Sequence, residues 1–444
     1  MDSKQCFKKS IIGKVPCEWE NAKLIDAVDK LTDGSHFSPK KVKDSKFYIA
    51  TVKDMGQYKI NLNSCKEISE QDYVKLTEAD CKPEKGDVLF SKDGTMGLCF
   101  VYNQQEPIVL LSSIAIIRPN YKLDPYFLKY YLSNASVKEF IVSNHSSGSA
   151  LPRLTLTNLK EIPIIIPALR EQQSIAKILS DLDSKIELNQ KMNKTLEAIA
   201  QAIFKHWFID FEFPNEEGKP YKSSGGEMVD SELGEIPKGW VIRKLRDVLR
   251  EIASGSRPRG GIDKNLGNGI PSIGAENING LGHYDFSKTK YVTYDFFEKN
   301  KKGLVIDRDV LLYKDGAQLG RKTIFGGGFP FISCMVNEHV FILRVKEELR
   351  QSYLYFWLDK KDVTDAIRNL NTNSAQPGIN REAIGSIRIL VPPSVILSKF
   401  DLLISFLLDR IFNNSLHNKT LGEIRDLSLP KLISGKIRVP LEEK

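Results

Sequence analysis

The chain of 444 residues predicts a mixed α/β (α+β) fold: two globular modules in a pseudo-twofold tandem repeat, separated by two long antiparallel coiled-coil helices. Three observations predict this. Ile175, Leu179, Leu182, Ile186, Asn189, Asn193 and Leu196 keep a four-three spacing, the mark of a helix that lays one seam on a partner helix. Phe400, Ile404, Leu407, Ile411, Asn414, Asn418 and Leu421 repeat it at a constant offset of 225. Outside the helices, Val15-Pro16-Cys17-Glu18-Trp19 aligns with Ile236-Pro237-Lys238-Gly239-Trp240, and Gly86-Asp87-Val88-Leu89 with Arg308-Asp309-Val310-Leu311. A repeat this long lies outside the periods of solenoids and propellers, so it means two domains.

Along the chain, residues 1–167 read as the first module. Val88–Phe90, Ile108–Leu111, Ile114–Ile117 and Ile162–Ile166 are short apolar runs bounded by Gly, Pro and Asp, as strands are. Aromatic and Leu residues at helical spacing predict a helix from Pro125 to about Ser133 and a counterpart from Ser352 to about Leu358. Ile164-Ile165-Ile166-Pro167 and Ile389-Leu390-Val391-Pro392 close the modules alike, each proline ending the extended chain before the long helix. Residues 168–213 form the first helix. Residues 214–392 hold a linker, rich in Gly, Lys, Glu and Ser to Asp230, and the second module; residues 393–444 hold the second helix and tail. If the two helices run antiparallel, Asn189 should lie near Asn418 and Asn193 near Asn414, a polar layer that sets register.

With 64 Lys plus Arg against 56 Asp plus Glu, the net charge of +8 favours a polyanionic partner. Six scattered cysteines without a C-x-x-C give neither a disulfide frame nor a zinc ribbon. The amino terminus, with Lys4, Lys8 and Lys9, lacks the apolar run of a signal peptide, and no stretch is apolar enough to span a membrane. A reducing cytoplasm is the expected compartment.

Catalytic motifs are missing. The only Pro-Pro, Pro392-Pro393, follows Val391 and precedes Ser394, so it is not the base-gripping motif of an amino-methyltransferase. Gly13-Lys14, Gly218-Lys219 and Gly435-Lys436 lack the Ser or Thr that a P-loop needs to hold magnesium. Asp210, Glu217 and Lys219 straddle a helix end and a polar linker, where charges are solvated, and the six histidines show no ligand spacing. The chain is expected to have no catalytic residues and to hold no metal.

The run from Ile164 to Phe208, with Glu171-Gln172-Gln173, Leu182-Asp183, Lys185-Ile186-Glu187-Leu188-Asn189 and Trp207-Phe208, closely resembles the central conserved region of the specificity subunit of type I restriction-modification enzymes. Leu233-Gly234-Glu235-Ile236-Pro237 and Leu429-Pro430-Lys431-Leu432 resemble that family's start of the second recognition domain and its carboxyl-terminal segment. Val395-Ile396-Leu397-Ser398 departs from the pattern, because it stands where the first copy has Glu-Gln-Gln. The resemblance implies a non-catalytic reader of double-stranded DNA. Two target recognition domains would each read half of a bipartite, asymmetric site. Two modification subunits using S-adenosylmethionine would methylate, and restriction subunits using ATP and magnesium would cleave. A helix of about 33 residues is roughly 50 Å long and half-sites one turn apart lie about 34–36 Å apart, so the helices could serve as a ruler. The alternatives are a coiled-coil scaffold without DNA readout and a self-sufficient methyltransferase or nuclease.

Base edges are read by Arg, Lys, Asn and Gln, whereas Ser, Thr, Lys and backbone amides hold phosphates. Three places offer such groups. The first is the loop with Lys92 and Thr95, and its counterpart with Lys314, Gln318, Arg321 and Lys322. The second is the polar turn with Ser147, Ser149 and Arg153, matched by Ser374 and Gln376. The third is the basic stretch with Arg257 and Arg259. The shared Asp-Gly steps are also tight turns that both folds would need. The aromatic stretch around Trp207 is either core or a docking face for a modification subunit.

Overall fold

A computed structural model describes residues 6–145, 154–259, 261–262, 266, 268–316, 318–371 and 378–440. The chain divides into two compact units, Met1–Lys185 with Leu421–Lys444, and Ile186–Thr420. Each unit therefore takes part of each long helix.

In the first unit, β1 (Val28–Asp33), β2 (Val88–Ser91), β3 (Cys99–Val101) and β4 (Ile114–Pro119) form an antiparallel sheet of order β1-β4-β2-β3. Alternate residues feed two cores: Val88, Phe90, Ala115 and Ile117 enter one, and Leu89, Phe100, Ile114 and Ile116 the other. Both faces are covered, so the strands read as unbroken apolar runs rather than alternating ones. A three-stranded sheet centres on Phe47–Ala50, antiparallel to Lys66–Ile68 and parallel to Ile108–Leu110. Helix α1 (Pro125–Ser133) starts as its sequence dictates. Asp124 accepts the amides of Tyr126 and Phe127 at 2.9 Å each, and Pro125 fills the position where no N–H is needed. Pro163–Ile166 pairs with Glu20–Lys23 before α2 (Leu169–Phe208) begins.

The second unit repeats these elements. Strands β5 (Leu249–Ser254), β6 (Val310–Tyr313), β7 (Lys322–Ile324) and β8 (Val340–Val345) pair in the order β5-β8-β6-β7. Ile270–Ile273 lies antiparallel to Lys290–Val292 and parallel to Met335–Val336. Helix α3 (Gln351–Asp359) matches α1, Arg388–Val391 pairs with Val241–Lys244, and α4 (Ser394–Ile433) is 40 residues long, as is α2. The repeated Asp of the strand-leading motif is structural. Asp87 accepts Arg118 Nε at 2.8 Å and Nη2 at 3.0 Å, and Asp309 accepts Arg344 Nε at 2.8 Å and Nη2 at 2.7 Å. Each Asp also caps the backbone three residues before it, at Glu84 and Ile306. A buried carboxylate is tolerated because a guanidinium fork satisfies it.

In the second unit α2 and α4 are antiparallel. Asn189 Nδ2 donates to Asn418 Oδ1 at 2.8 Å, and Asn414 Nδ2 donates to Asn193 Oδ1 at 2.9 Å. Asn193 Nδ2 continues to Ser415 Oγ at 3.0 Å. Replacing Asn414 with Leu strands the buried carbonyl of Asn193 and should cost about 1–3 kcal/mol. Adding Asn193→Leu removes the orphan and should recover part of that loss, as urea midpoints would report. Within the first unit the helices also oppose each other, Asp183 of α2 accepting Arg425 Nη1 of α4 at 2.7 Å.

Three features of the structure correct or extend the sequence reading. Cys6 and Cys17 form a disulfide, Cα–Cα 5.4 Å, where scattered cysteines gave no frame. The cause is a hairpin: Phe7–Ser10 pairs with Gly13–Pro16 with Phe7 opposite Pro16, so the flanking cysteines face each other. The polar segment after α2 is folded, with Tyr221 stacked on Phe213 at 4.6 Å and Met228–Val229 paired with Ile236–Pro237. The aromatic stretch of α2 is core: Trp207 is buried, and Phe204, Trp207 and Phe208 all pack on Phe400.

Candidate nucleic-acid interface

Each unit places a Lys-Asp-Gly loop after the central strand of its sheet, β2 or β6. Gly94 and Gly316 take φ of 67° and 103°, a left-handed conformation that makes glycine the fitting residue at both turns. The two loops use their lysines differently. Lys92 is buried and its ammonium pairs with Asp33 of β1. The residue matching Asp33 in β5 is Ser254, which offers no charge. Lys314 instead lies over the ring of Phe341 at 4.9 Å and 3.7 Å from Asp315.

Lys322 is buried as well. It donates to the carbonyl of Leu358 at 2.7 Å and to Thr364 Oγ1 at 2.6 Å, satisfying the carboxyl end of α3. Burial, set against the nearby Asp359 carboxylate, pushes its ammonium below the usual lysine range. Neither Lys92 nor Lys322 presents a free ammonium to a phosphate in this structure, because Lys92 is held by Asp33 and Lys322 by the carboxyl end of α3.

The other sites divide by exposure. Thr95, Gln318 and Arg321 stand exposed on the loops, and Arg321 Nη1 reaches Asn279 Oδ1 at 3.4 Å. Arg259 is exposed, and Arg257 is exposed while its Nε meets Glu338 at 2.7 Å. Ser147, Ser149, Arg153, Ser374 and Gln376 lie outside the described residues.

In the second unit the structure joins two of the three predicted places. Arg257 contacts Glu338, Glu338 contacts His339 at 3.4 Å, and His339 Nδ1 lies 3.2 Å from Asp315 at the base of the Lys314 loop. Beside this chain opens a cleft of about 600 Å³, lined by Arg257, Lys288, Lys290, Asn337 and His339. Glu276 faces the same cleft, and hydrogen bonding to Lys290, opposing the effect of burial, holds its carboxyl below the ordinary range. Exposed guanidinium forks and amides around a basic cleft can bind phosphate oxygens and read base edges. Among the described residues no group of His, Cys, Asp and Glu could hold a metal ion.

Sequence reasoning missed Glu338, His339 and Asn279, since Arg257, Asp315 and Arg321, which they meet, sit 24 or more residues away in sequence. The repeat carried a signal: His339 stands where the first copy has Ser113, whose hydroxyl accepts the amide of Val52 at 3.2 Å.

Residues 16–198 and 237–439 each match the type I restriction modification DNA specificity domain. The type I restriction enzyme MjaIX specificity subunit of Methanocaldococcus jannaschii is 28% identical over 448 residues, covering 98% of this chain and 96% of its own length. The HindI specificity subunit of Haemophilus influenzae is 24% identical over 422 residues, covering 80% and 87%. In three dimensions the chain is similar to the S subunit of a type I restriction-modification system from M. genitalium, with TM-score 0.55 and 14% identity over 94% of this chain and 96% of that one.

Proposed function

Because the chain belongs to the family of type I restriction-modification DNA specificity proteins, we propose that it is the DNA-reading subunit of such a complex, each module reading one half of a bipartite, asymmetric site. The observation that carries this is the double match to the specificity domain, one match per module. The subunit is non-catalytic in this reading. Two modification subunits supply S-adenosylmethionine chemistry, restriction subunits supply ATP- and magnesium-dependent translocation and cleavage, and the complex works in the cytoplasm. Among the described residues no helix is long and apolar enough to cross a membrane. The long helices space the half-sites and dock the modification subunits. In the second module the reading groups are Gln318, Arg321, Arg257, Arg259 and Lys314; in the first, Thr95 stands on the matching loop, with Ser147, Ser149 and Arg153 proposed on sequence alone, as are Ser374 and Gln376 in the second.

The test exchanges the second module for that of a relative, expresses the hybrid with its modification subunits, and maps methylated adenines in genomic DNA. One half of the methylated site should change and the other should stay. Change in both halves, or in neither, would sink the one-module, one-half-site reading. Arg321→Ala should weaken binding and relax discrimination in one half-site only, by about 1–3 kcal/mol if the fork is bidentate to a base.

A further inference from the structure

The two modules are closed by helix ends of opposite chemistry. After α2 the amide of Glu212 bonds to the carbonyl of His206 at 2.9 Å, and after α4 the amide of Ile437 bonds to the carbonyl of Lys431 at 3.1 Å. These are the same bond at the offset of 225, so Phe213 and Arg438 occupy equivalent places. Arg438 closes the first module. Its Nε donates to Glu171 Oε1 at 2.8 Å and its Nη1 to Glu18 Oε1 at 2.7 Å, while Trp19 Nε1 donates to Glu171 Oε2 at 3.0 Å. Phe213 closes the second module. It stacks on Trp240 with centroids 5.0 Å apart, and the residues matching Glu171 and Glu18 are Ile396, packed on the same core, and Gly239. The tryptophan is kept, and the three positions around it have changed together.

We infer that these matched sets are a sorting code, by which the first module accepts the chain's own Arg438 segment and rejects the Phe213 helix end of a second copy. The competitor arises because residues 1–213 of two chains carry the same seam and could pair with each other. In that wrong pairing, Phe213 would meet Glu171 and leave its buried carboxylate without Arg438. In the reciprocal error Arg438 would be set against Ile396 and Gly239 in place of the two carboxylates it meets in the first module. Specificity gained by penalising the wrong partner is the same device that polar seam residues provide in coiled coils. The code concerns how the chain closes and is independent of which DNA it reads.

The test uses the full chain. Glu171→Ile with Arg438→Phe gives both modules an apolar closure; adding Phe213→Arg and Ile396→Glu exchanges the codes. Each protein is refolded from urea at low and high concentration and sized by light scattering. The double variant should melt close to the parent but lose a preference of at least about tenfold, which is about 1.4 kcal/mol, and so form oligomers whose share rises with concentration. The fourfold variant should return to the parent's size. Parental size for the double variant at both concentrations would overturn the inference. So would a fourfold variant as prone to oligomers as the double, or a double variant that melts far below the parent, since an apolar set would then not close this module at all.

Discussion

Asp183→Ala should destabilise the first unit by about 3–5 kcal/mol at neutral pH, the cost of breaking a buried ion network by removing one partner. The carboxylate accepts Lys129 Nζ at 2.5 Å, Tyr130 Oη at 2.6 Å and Arg425 Nη1 at 2.7 Å, and so ties α1 and α4 to α2. Without it Lys129, its side chain 13% exposed, loses its carboxylate, and Arg425, 20% exposed, keeps only Asp426. Burial alone would raise the Asp183 carboxyl, but Lys129, Tyr130 and Arg425 outweigh it and hold it below the ordinary aspartate range. A carboxyl depressed in the folded state adds stability that is complete above the unfolded value of about 3.9 and disappears as pH falls through the folded one. The gap between parent and variant in urea unfolding should therefore stay level from neutral pH down to about 4 and narrow only below it. A gap that closes between pH 7 and 5 would assign the effect to another group.

Phe208→Ala should cost the second unit a similar amount, about 3–5 kcal/mol for a large aromatic removed from a closed core. Phe208 is 1% exposed and its ring lies 4.7 Å from Tyr353, 4.8 Å from Phe400 and 5.9 Å from Trp240. These neighbours come from α3, α4 and the start of the module, so the cavity would touch three elements that cannot collapse together. The equivalent residue of α4 is Ile433, also buried. Phe208→Ile should thus retain much of what Phe208→Ala loses, and equal melting of the two variants would show that the site relaxes around either.

The long helices were legible because their signal is local: a seven-residue pattern repeated at one offset, with prolines before each start. Strands such as Val88–Ser91 and Ile114–Pro119 were legible as apolar runs. Their order was not, since β4 lies between β1 and β2 through pairings of residues far apart in sequence. The fate of the loop lysines was hidden for the same reason. Lys92 and Lys314 sit in the same motif, and the carboxylate that draws Lys92 inward lies 59 residues earlier. The Cys6–Cys17 link depended on a hairpin whose alternation is too short to stand out in sequence.

The paired Asp87–Arg118 and Asp309–Arg344 forks bear on how such a protein can change over generations. Both lie behind the strands that carry the loops and take nothing from Thr95, Gln318 or Arg321. A lineage can therefore replace those loop residues one at a time while the frame that holds them keeps its stability. Under the proposed reading of these loops, new sequence preferences can then accumulate by neutral steps, without each passing through an unfolded ancestor.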